Sequence, residues 1–330
     1  MWLLRVLRGK MKPENIAKAI QEVLDKIEAS SKPANEILNA YTRSHRYIGS
    51  KDRHLIQAGV WENLRTRPWP EWLEKAIRID EKKALREEAK IVLRAHGDRK
   101  KIQSELMTEE GIETEPTKLS PLGLILKKRI PLTICKAYLA GKVEVQDEGS
   151  QLVALATGIQ PGDSVLDYCA GAGGKSLCFA QMMNNCGQIV VHDISKKSLV
   201  ELKKRAERAG AEIIKITLKP KGLFKHVVVD APCSGSGTWR RCPDAPLKLS
   251  EKIWQDLQKK QAQILDKACT FVAEDGLLHY MTCSILEAEN QGQMRAFLKR
   301  HKNFKLIHHA QWTPAKNGTD GFFLAIFKRK

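Results

Sequence analysis

The chain has 330 residues, 42% of them hydrophobic, enough apolar material for a sizeable core and a length that fits about two domains of ~150 residues. Lysine and arginine number 56 against 38 acidic residues, and the resulting charge of +18 points to a polyanionic partner, nucleic acid, ahead of a merely solvated surface. No apolar run approaches the ~20 residues of a spanning helix, so no membrane partner is expected.

The opening "MWLLRVLRGK" is not read as a signal peptide, because Arg5 and Arg8 cut its apolar segment below the length of such a leader; Met11 is an alternative start. In "MKPENIAKAIQEVLDKIEAS" the residues Ile16, Ile20, Val23, Leu24 and Ile27 recur at helical spacing behind Pro13, which suits a first turn. "ANEILNAYTRSH" and "KDRHLIQAGVWENLRT" repeat the pattern, the second with Ser50 as its expected N-cap, and two further helices are expected between Pro70 and His96. These set a helical domain over 1–96. Over 97–147 a basic helix ("DRKKIQSELMTE") and two short strands ("LGLIL", "KVEVQ") predict a small α+β subdomain. From 148 to 330 strands and helices alternate, which predicts an α/β domain with a parallel sheet covered by helices on both faces. Such a sheet carries its chemistry at the carboxyl ends of its strands.

The informative turns lie at those ends. "VLDYCAGAGGKS" leaves a strand and enters a helix through Gly171, Gly173 and Gly174, which lets backbone approach a ligand closely at a helix N-terminus. Asp193 closes the next strand, "QIVVHD", nineteen residues after Gly174, the position of a carboxylate that accepts ribose hydroxyls. The pattern predicts a nucleoside cofactor and leaves a nicotinamide and S-adenosylmethionine both open, since "GAGGK" lacks the full dinucleotide register. Of the eight cysteines none forms a CxxC pair, which reads as reduced thiols of a cytoplasmic protein with no metal site. Two of them, Cys233 in "DAPCSGSGTWRRCPD" and Cys283 in "YMTCS", each follow an apolar run and lead into serine. A lone cysteine in such a place is ordinarily a small buried hydrophobe; a pair in matching turns is not.

With these pieces the chain resembles the Sun/Nop family of RNA cytosine methyltransferases. "QDEGSQL", "DYCAGAGGK", "DAPCSGSGTWRRCPD", "YMTCS" with "EN" following, and "GTDGFF" stand in the family's order across 146–323, and "RSHRYIGSKDR" extends the likeness into the helical region, which is similar to a NusB-like RNA-binding domain. The resemblance implies a Rossmann-like class I S-adenosylmethionine-dependent methyltransferase sheet over 148–330, a helical RNA-binding domain before it, and transfer of a methyl group to carbon 5 of a cytosine, in ribosomal RNA or alternatively in tRNA. It implies that Cys283 is the nucleophile, that Cys233 assists product release, and that Asp230 hydrogen-bonds the base. Cys169, Ala170, Gly171, Ala172, Gly173, Gly174, Lys175, Asp193 and Asp230 would line the cofactor, and Lys175, Arg240 and Arg241 would meet RNA, although an arginine pair beside an acidic loop also reads as a surface ion pair. Glu289 and Asn290 are read as ordering the TCS turn. One departure stands out: "IIKITLKPKGLFKHVVVD" contains no acid or asparagine before Asp230, where the family carries a residue that holds the adenine. A catalytically silent RNA-binding or ribosome-assembly factor is the non-enzyme alternative, against which the intact Asp230, Cys233 and Cys283 argue.

Overall fold

A computed structural model describes residues 11–330; the opening decapeptide, with Arg5 and Arg8, lies outside the described residues. The contacts divide the chain into two units. One comprises residues up to Glu88 together with Thr238–Glu251, the other Ala89–Gly237 together with Lys252–Lys330.

The first unit is helical, with helices Pro13–Glu28, Ala34–Ser44, Ser50–Thr66, Glu71–Ala76 and Ile79–Arg86. The stripe read from the sequence is the one buried: Ile16, Ile20, Val23, Leu24 and Ile27 pack with Leu38, Ile56, Val60 and Leu64. Each such side chain contributes up to about 1.5–3 kcal/mol on burial. Ser50 is the first helical residue and not the cap; Gly49 holds the cap position, with no side-chain hydrogen bond. The segment Thr238–Glu251 joins this unit from far along the chain. Trp239 meets Trp69 edge-on at 5.3 Å between ring centroids, and Asp244 Oδ2 accepts the Ala34 N–H at 2.9 Å.

The second unit holds two sheets. The smaller is antiparallel with strand order β2-β3-β1-β4, built from β1 (Val92–Ala95), β2 (Thr114–Pro116), β3 (Gly123–Leu126) and β4 (Val143–Val145). The expected boundary after residue 96 therefore gives way: Val92–Ala95, read as the tail of the helical domain, pairs with both β3 and β4. A four-residue stretch is too short for periodicity to separate strand from helix. Helix Arg99–Glu110 starts where predicted, its orphan amides met by Asp98, whose carboxylate accepts the N–H groups of Lys100 and Lys101.

The larger sheet has the order β10-β11-β9-β8-β5-β6-β7, from β5 (Ser164–Asp167), β6 (Gln188–Val191), β7 (Ile214–Ile216), β8 (Phe224–Asp230), β9 (Val272–Thr282), β10 (Phe304–Trp312) and β11 (Phe322–Arg329). β5 to β9 run parallel. β11 departs from the predicted parallel sheet and runs antiparallel between β9 and β10, because the short link through Pro314–Asn317 and Gly318 makes a hairpin and is too short for a crossover. Alternate residues feed two cores. Val165 and Val228 face Leu177, Phe179 and Leu202 on one side; Leu166, Val227 and Val229 face Leu265 and Phe297 on the other. β5 has β6 on one flank and β8 on the other, so the connections diverge from it and leave a crevice beyond the carboxyl ends.

Candidate active site

β5 ends on Asp167, which is 1% exposed and accepts the Ser176 hydroxyl at 2.6 Å. Burial raises its carboxyl to about 7. The chain then turns through Tyr168, Cys169, Ala170 and Gly171–Gly174 into helix Gly174–Met182. Gly171 and Gly173 have φ of 53° and 82°, a region that favours glycine, and a Cβ on Gly173 would sit 2.6 Å from Leu202. A Cβ on Gly171 would meet nothing within 4 Å, so that backbone borders open space at the start of a helix. Asp193, just beyond β6, ties this turn down: its Oδ2 accepts the Gly171 N–H at 2.8 Å and its Oδ1 the Ser195 N–H at 2.7 Å. Each oxygen keeps lone-pair capacity for a further donor. A bare backbone facing open space, a helix start and a carboxylate beside it form a donor and acceptor set that fits a nucleoside cofactor. Cys169 is half-buried beneath the turn, and burial pushes its thiol up.

Lys175, in the first turn of the helix, is 9% exposed, with Nζ 2.6 Å from Asp230 Oδ2 and 5.0 Å from the centre of the Phe322 ring. Burial alone would lower its pKa, but the Asp230 carboxylate outweighs it and the net shift is upward, so the ammonium form is held. The structure thus pairs two residues that the sequence reading assigned separately.

β8 and β9 are adjacent and parallel, with Asp230 beside Met281, so the turns that follow them lie side by side. Cys233 Sγ and Cys283 Sγ are 3.4 Å apart, as free thiols. The Cys233 thiol is held well above its ordinary range, first by its hydrogen bond with Cys283 and then by burial. Glu289, fully buried, fastens both turns. Its Oε1 accepts the Ser234 N–H at 2.9 Å and Gln261 Nε2 at 3.0 Å, and its Oε2 accepts the hydroxyls of Ser234 at 2.5 Å and Ser284 at 2.6 Å. Asn290 completes the second turn, accepting the Thr282 hydroxyl and donating to the Ser284 carbonyl. The serines after the two cysteines are therefore the handles by which one carboxylate sets the distance between thiols. Asp167 and Gln261 escaped the sequence reading: the strand-ending position of Asp167 was a usable signal, whereas Gln261, mid-helix among charged residues, gave none.

Arg240 and Arg241 belong to the Thr238–Glu251 segment of the helical unit. Arg240 is 7% exposed and Arg241 is half-buried in the folded chain. Part of "RSHRYIGSKDR" is structural. Arg53 donates to the carbonyls of Ile48 and Arg46, and Ile48 and Asp52 are 2% exposed, which leaves Arg43, Arg46, Tyr47 and Lys51 at the surface.

The sheet order, with the glycine turn after β5 and acids at the ends of its neighbours β6 and β8, is that of the Rossmann-like methyltransferase fold. Solved structures agree: that of PH0851 superposes with a TM-score of 0.76 at 26% identity, over 90% of this chain and 76% of that one. NSun6 from Pyrococcus horikoshii with SFG gives a TM-score of 0.71 at 18% identity, over 81% and 97%. Residues 154–328 match the family described as 16S rRNA methyltransferase RsmB/F, and the chain belongs to that family. It is 33% identical over 241 residues to ribosomal RNA small subunit methyltransferase B of Photorhabdus laumondii, covering 68% of this chain and 56% of that protein. The protein of the same name from Pseudomonas syringae pv. tomato is 28% identical over 341 residues, covering 93% and 75%. The chain thus spans little more than half the length of the Photorhabdus relative.

Proposed function

We propose that the chain transfers a methyl group from S-adenosylmethionine to carbon 5 of a cytosine in ribosomal RNA through a covalent bond to Cys283. The observation that carries this reading is the pair of thiols 3.4 Å apart, bracketed by one buried carboxylate and placed beside the Lys175–Asp230 pair. Family membership and the names of the relatives support RNA as substrate. The cofactor supplies an electrophilic methyl group; Gly171–Gly174 and Asp193 would hold it, with Cys169, Ala170 and Ala172 offering backbone and no acid after β7 to meet its base.

Carbon 5 of cytosine is too weakly nucleophilic to take that methyl unaided. The Cys283 thiolate adds to carbon 6, and the electron pair displaced from the 5,6 double bond makes carbon 5 nucleophilic. Addition places negative charge on the ring, against which the Lys175 ammonium is held, while Asp230 accepts from the exocyclic amine. After transfer the carbon 5 proton passes to a water molecule, the double bond re-forms and the carbon 6–sulfur bond breaks, returning Cys283 as thiolate; the Cys233 thiol, 3.4 Å away, assists by donating to that departing sulfur. The raised pKa of Cys233 fits a group that stays protonated while its neighbour attacks. The exposed Arg43, Arg46 and Lys51, with half-buried Arg241, are the basic groups assigned to RNA.

The test is a trap. Cys233→Ala incubated with RNA and S-adenosylmethionine should give a slow-migrating, ribonuclease-sensitive protein band on a denaturing gel, and Cys283→Ala should give neither band nor product. An adduct in Cys283→Ala and none in Cys233→Ala would reverse the roles.

A further inference from the structure

A polar bridge between the glycine turn and the small sheet has no part in the proposed chemistry. β4 carries Glu144, 3% exposed. Its Oε2 accepts Arg205 Nε at 3.2 Å and Nη2 at 2.9 Å, and its Oε1 accepts Arg208 Nη2. The two arginines stand three residues apart at the end of helix Lys196–Arg208, on one face. They differ in their remaining contacts. Arg205 Nη1 donates at 2.7 Å to the carbonyl of Ala172, the residue between the two positive-φ glycines of the turn, whereas Arg208 lies over the Tyr138 ring at 4.1 Å. Two residues beyond Glu144, Gln146 Nε2 donates to the Gly174 carbonyl at 3.2 Å.

A turn built on glycines has many conformers to lose, and one that offers amides to a ligand must have its peptide planes fixed beforehand. The planar trans peptide between Ala172 and Gly173 is pinned at both poles: Arg205 takes the carbonyl, and the Gly173 N–H donates to Ala170 O at 2.9 Å. Arg205 could not hold that angle as a free side chain; two of its N–H groups on one oxygen of a buried glutamate remove its freedom. We infer that Arg205 is a positioning residue for the cofactor turn, braced on Glu144, and that the small sheet serves as the backstop of the cofactor site. This rests on the reading that the turn holds S-adenosylmethionine.

Arg205→Met and Arg208→Met provide the experiment, since both break an ion pair with Glu144 and only the first frees the Ala172 carbonyl. By calorimetry on the full chain, Arg205→Met should bind S-adenosylmethionine roughly tenfold more weakly, the loss of about one charge-assisted hydrogen bond, with RNA affinity and kcat at saturating cofactor within about twofold. Arg208→Met should keep cofactor affinity within about twofold even though both variants melt earlier. Arg205→Lys, whose single ammonium cannot span carboxylate and carbonyl, should fall between wild type and Arg205→Met and serves if Arg205→Met fails to fold. Hydrogen exchange at the amides of Gly171, Gly173 and Gly174 reads the brace without ligand and should quicken in Arg205→Met alone. Equal cofactor weakening and equal exchange in the two variants, or no change in either, overturns the inference. A wild-type chain that binds no S-adenosylmethionine sinks the cofactor reading instead, and hydrogen exchange then decides the brace.

Discussion

Cysteine, histidine and aspartate gather at both ends of the large sheet. Toward the amino ends, Cys269 Sγ lies 3.7 Å from Nδ1 of His301, whose Nε2 is 2.7 Å from Asp266, a set that on residue types alone would pass for an activated nucleophile. At the carboxyl ends, the thiols of Cys233 and Cys283 meet each other and no histidine, and Glu289 holds the serines that follow them. The difference lies in what surrounds the sulfur. Cys269 is packed at 6% exposure before β9 begins, whereas Cys233 and Cys283 are half-buried in turns that follow β8 and β9. Position in the topology, and not the roster of side chains, separates the site from its imitation.

The largest effect should come from deleting one sulfur at each end. Cys283→Ala should abolish methyl transfer, a loss of at least about four orders of magnitude if covalent addition is obligatory, while binding RNA and cofactor normally; Cys269→Ala should stay within about twofold. A radiolabelled methyl assay reads both. Comparable losses in the two would erase the distinction between the ends.

Next come the carboxylates. Glu289→Leu strands four donors around a fully buried position and should destabilise the chain by about 3–5 kcal/mol, with both thiol turns loosened. Asp266→Asn at the opposite end loses partners that are 22–36% exposed, and should cost no more than about 1 kcal/mol. Urea titration compares them, and a Glu289→Leu chain as stable as wild type would remove the carboxylate from the role given it here. Asp193→Ala should be milder in stability but should weaken S-adenosylmethionine binding by about 1.5–3 kcal/mol, roughly ten- to a hundredfold, with RNA binding unchanged. Unaltered calorimetric affinity would leave Asp193 as no more than a tether for Gly171 and Ser195.

How far the sequence disclosed this arrangement follows from the distance over which each part is held together. The glycine turn and Asp193 were legible because local backbone demands, positive φ and a helix start, leave a local signature. The two cysteines were legible as a pair through resemblance and through their matching flanks. What joins them was only half visible: Glu289 was read as ordering its own neighbouring turn, yet it also holds Ser234, 55 residues away, and no periodicity records such a bond. The same reason hid Arg205 and Glu144, 61 residues apart, and hid the return of Thr238–Glu251 to the helical unit, where Asp244 caps Ala34 from 210 residues away. The strand Val92–Ala95 was missed for a different cause, its four residues being too few to show a period.

The smallest effect concerns pH, where two buried groups of the sheet titrate in opposite senses. His279 is fully buried, its Nε2 3.0 Å from Nδ1 of His226, whose Nε2 in turn is 3.0 Å from Asp163 with Lys225 beside it. Burial, and then the neighbouring His226, holds His279 down to about 3. An unfolded chain takes up that proton near pH 6.5, so the folded state's advantage is complete above about pH 6.5 and is lost progressively as pH falls toward 3. Asp167, raised to about 7, keeps a proton that the unfolded chain releases near pH 3.9; its contribution is complete below that value and is lost as pH rises through about 7. Melting temperatures between pH 4.5 and 8 should separate the two. The two slopes oppose each other between pH 4.5 and 6.5, so each variant is read against wild type: His279→Phe should gain at pH 4.5 relative to pH 6.5, and Asp167→Asn should gain at pH 7 relative to pH 4.5, whatever either does to the melting temperature at one pH. An acid limb equally steep in His279→Phe would assign it to other groups, and a profile unchanged in Asp167→Asn would mean that the carboxyl at the end of β5 is already ionised in the fold.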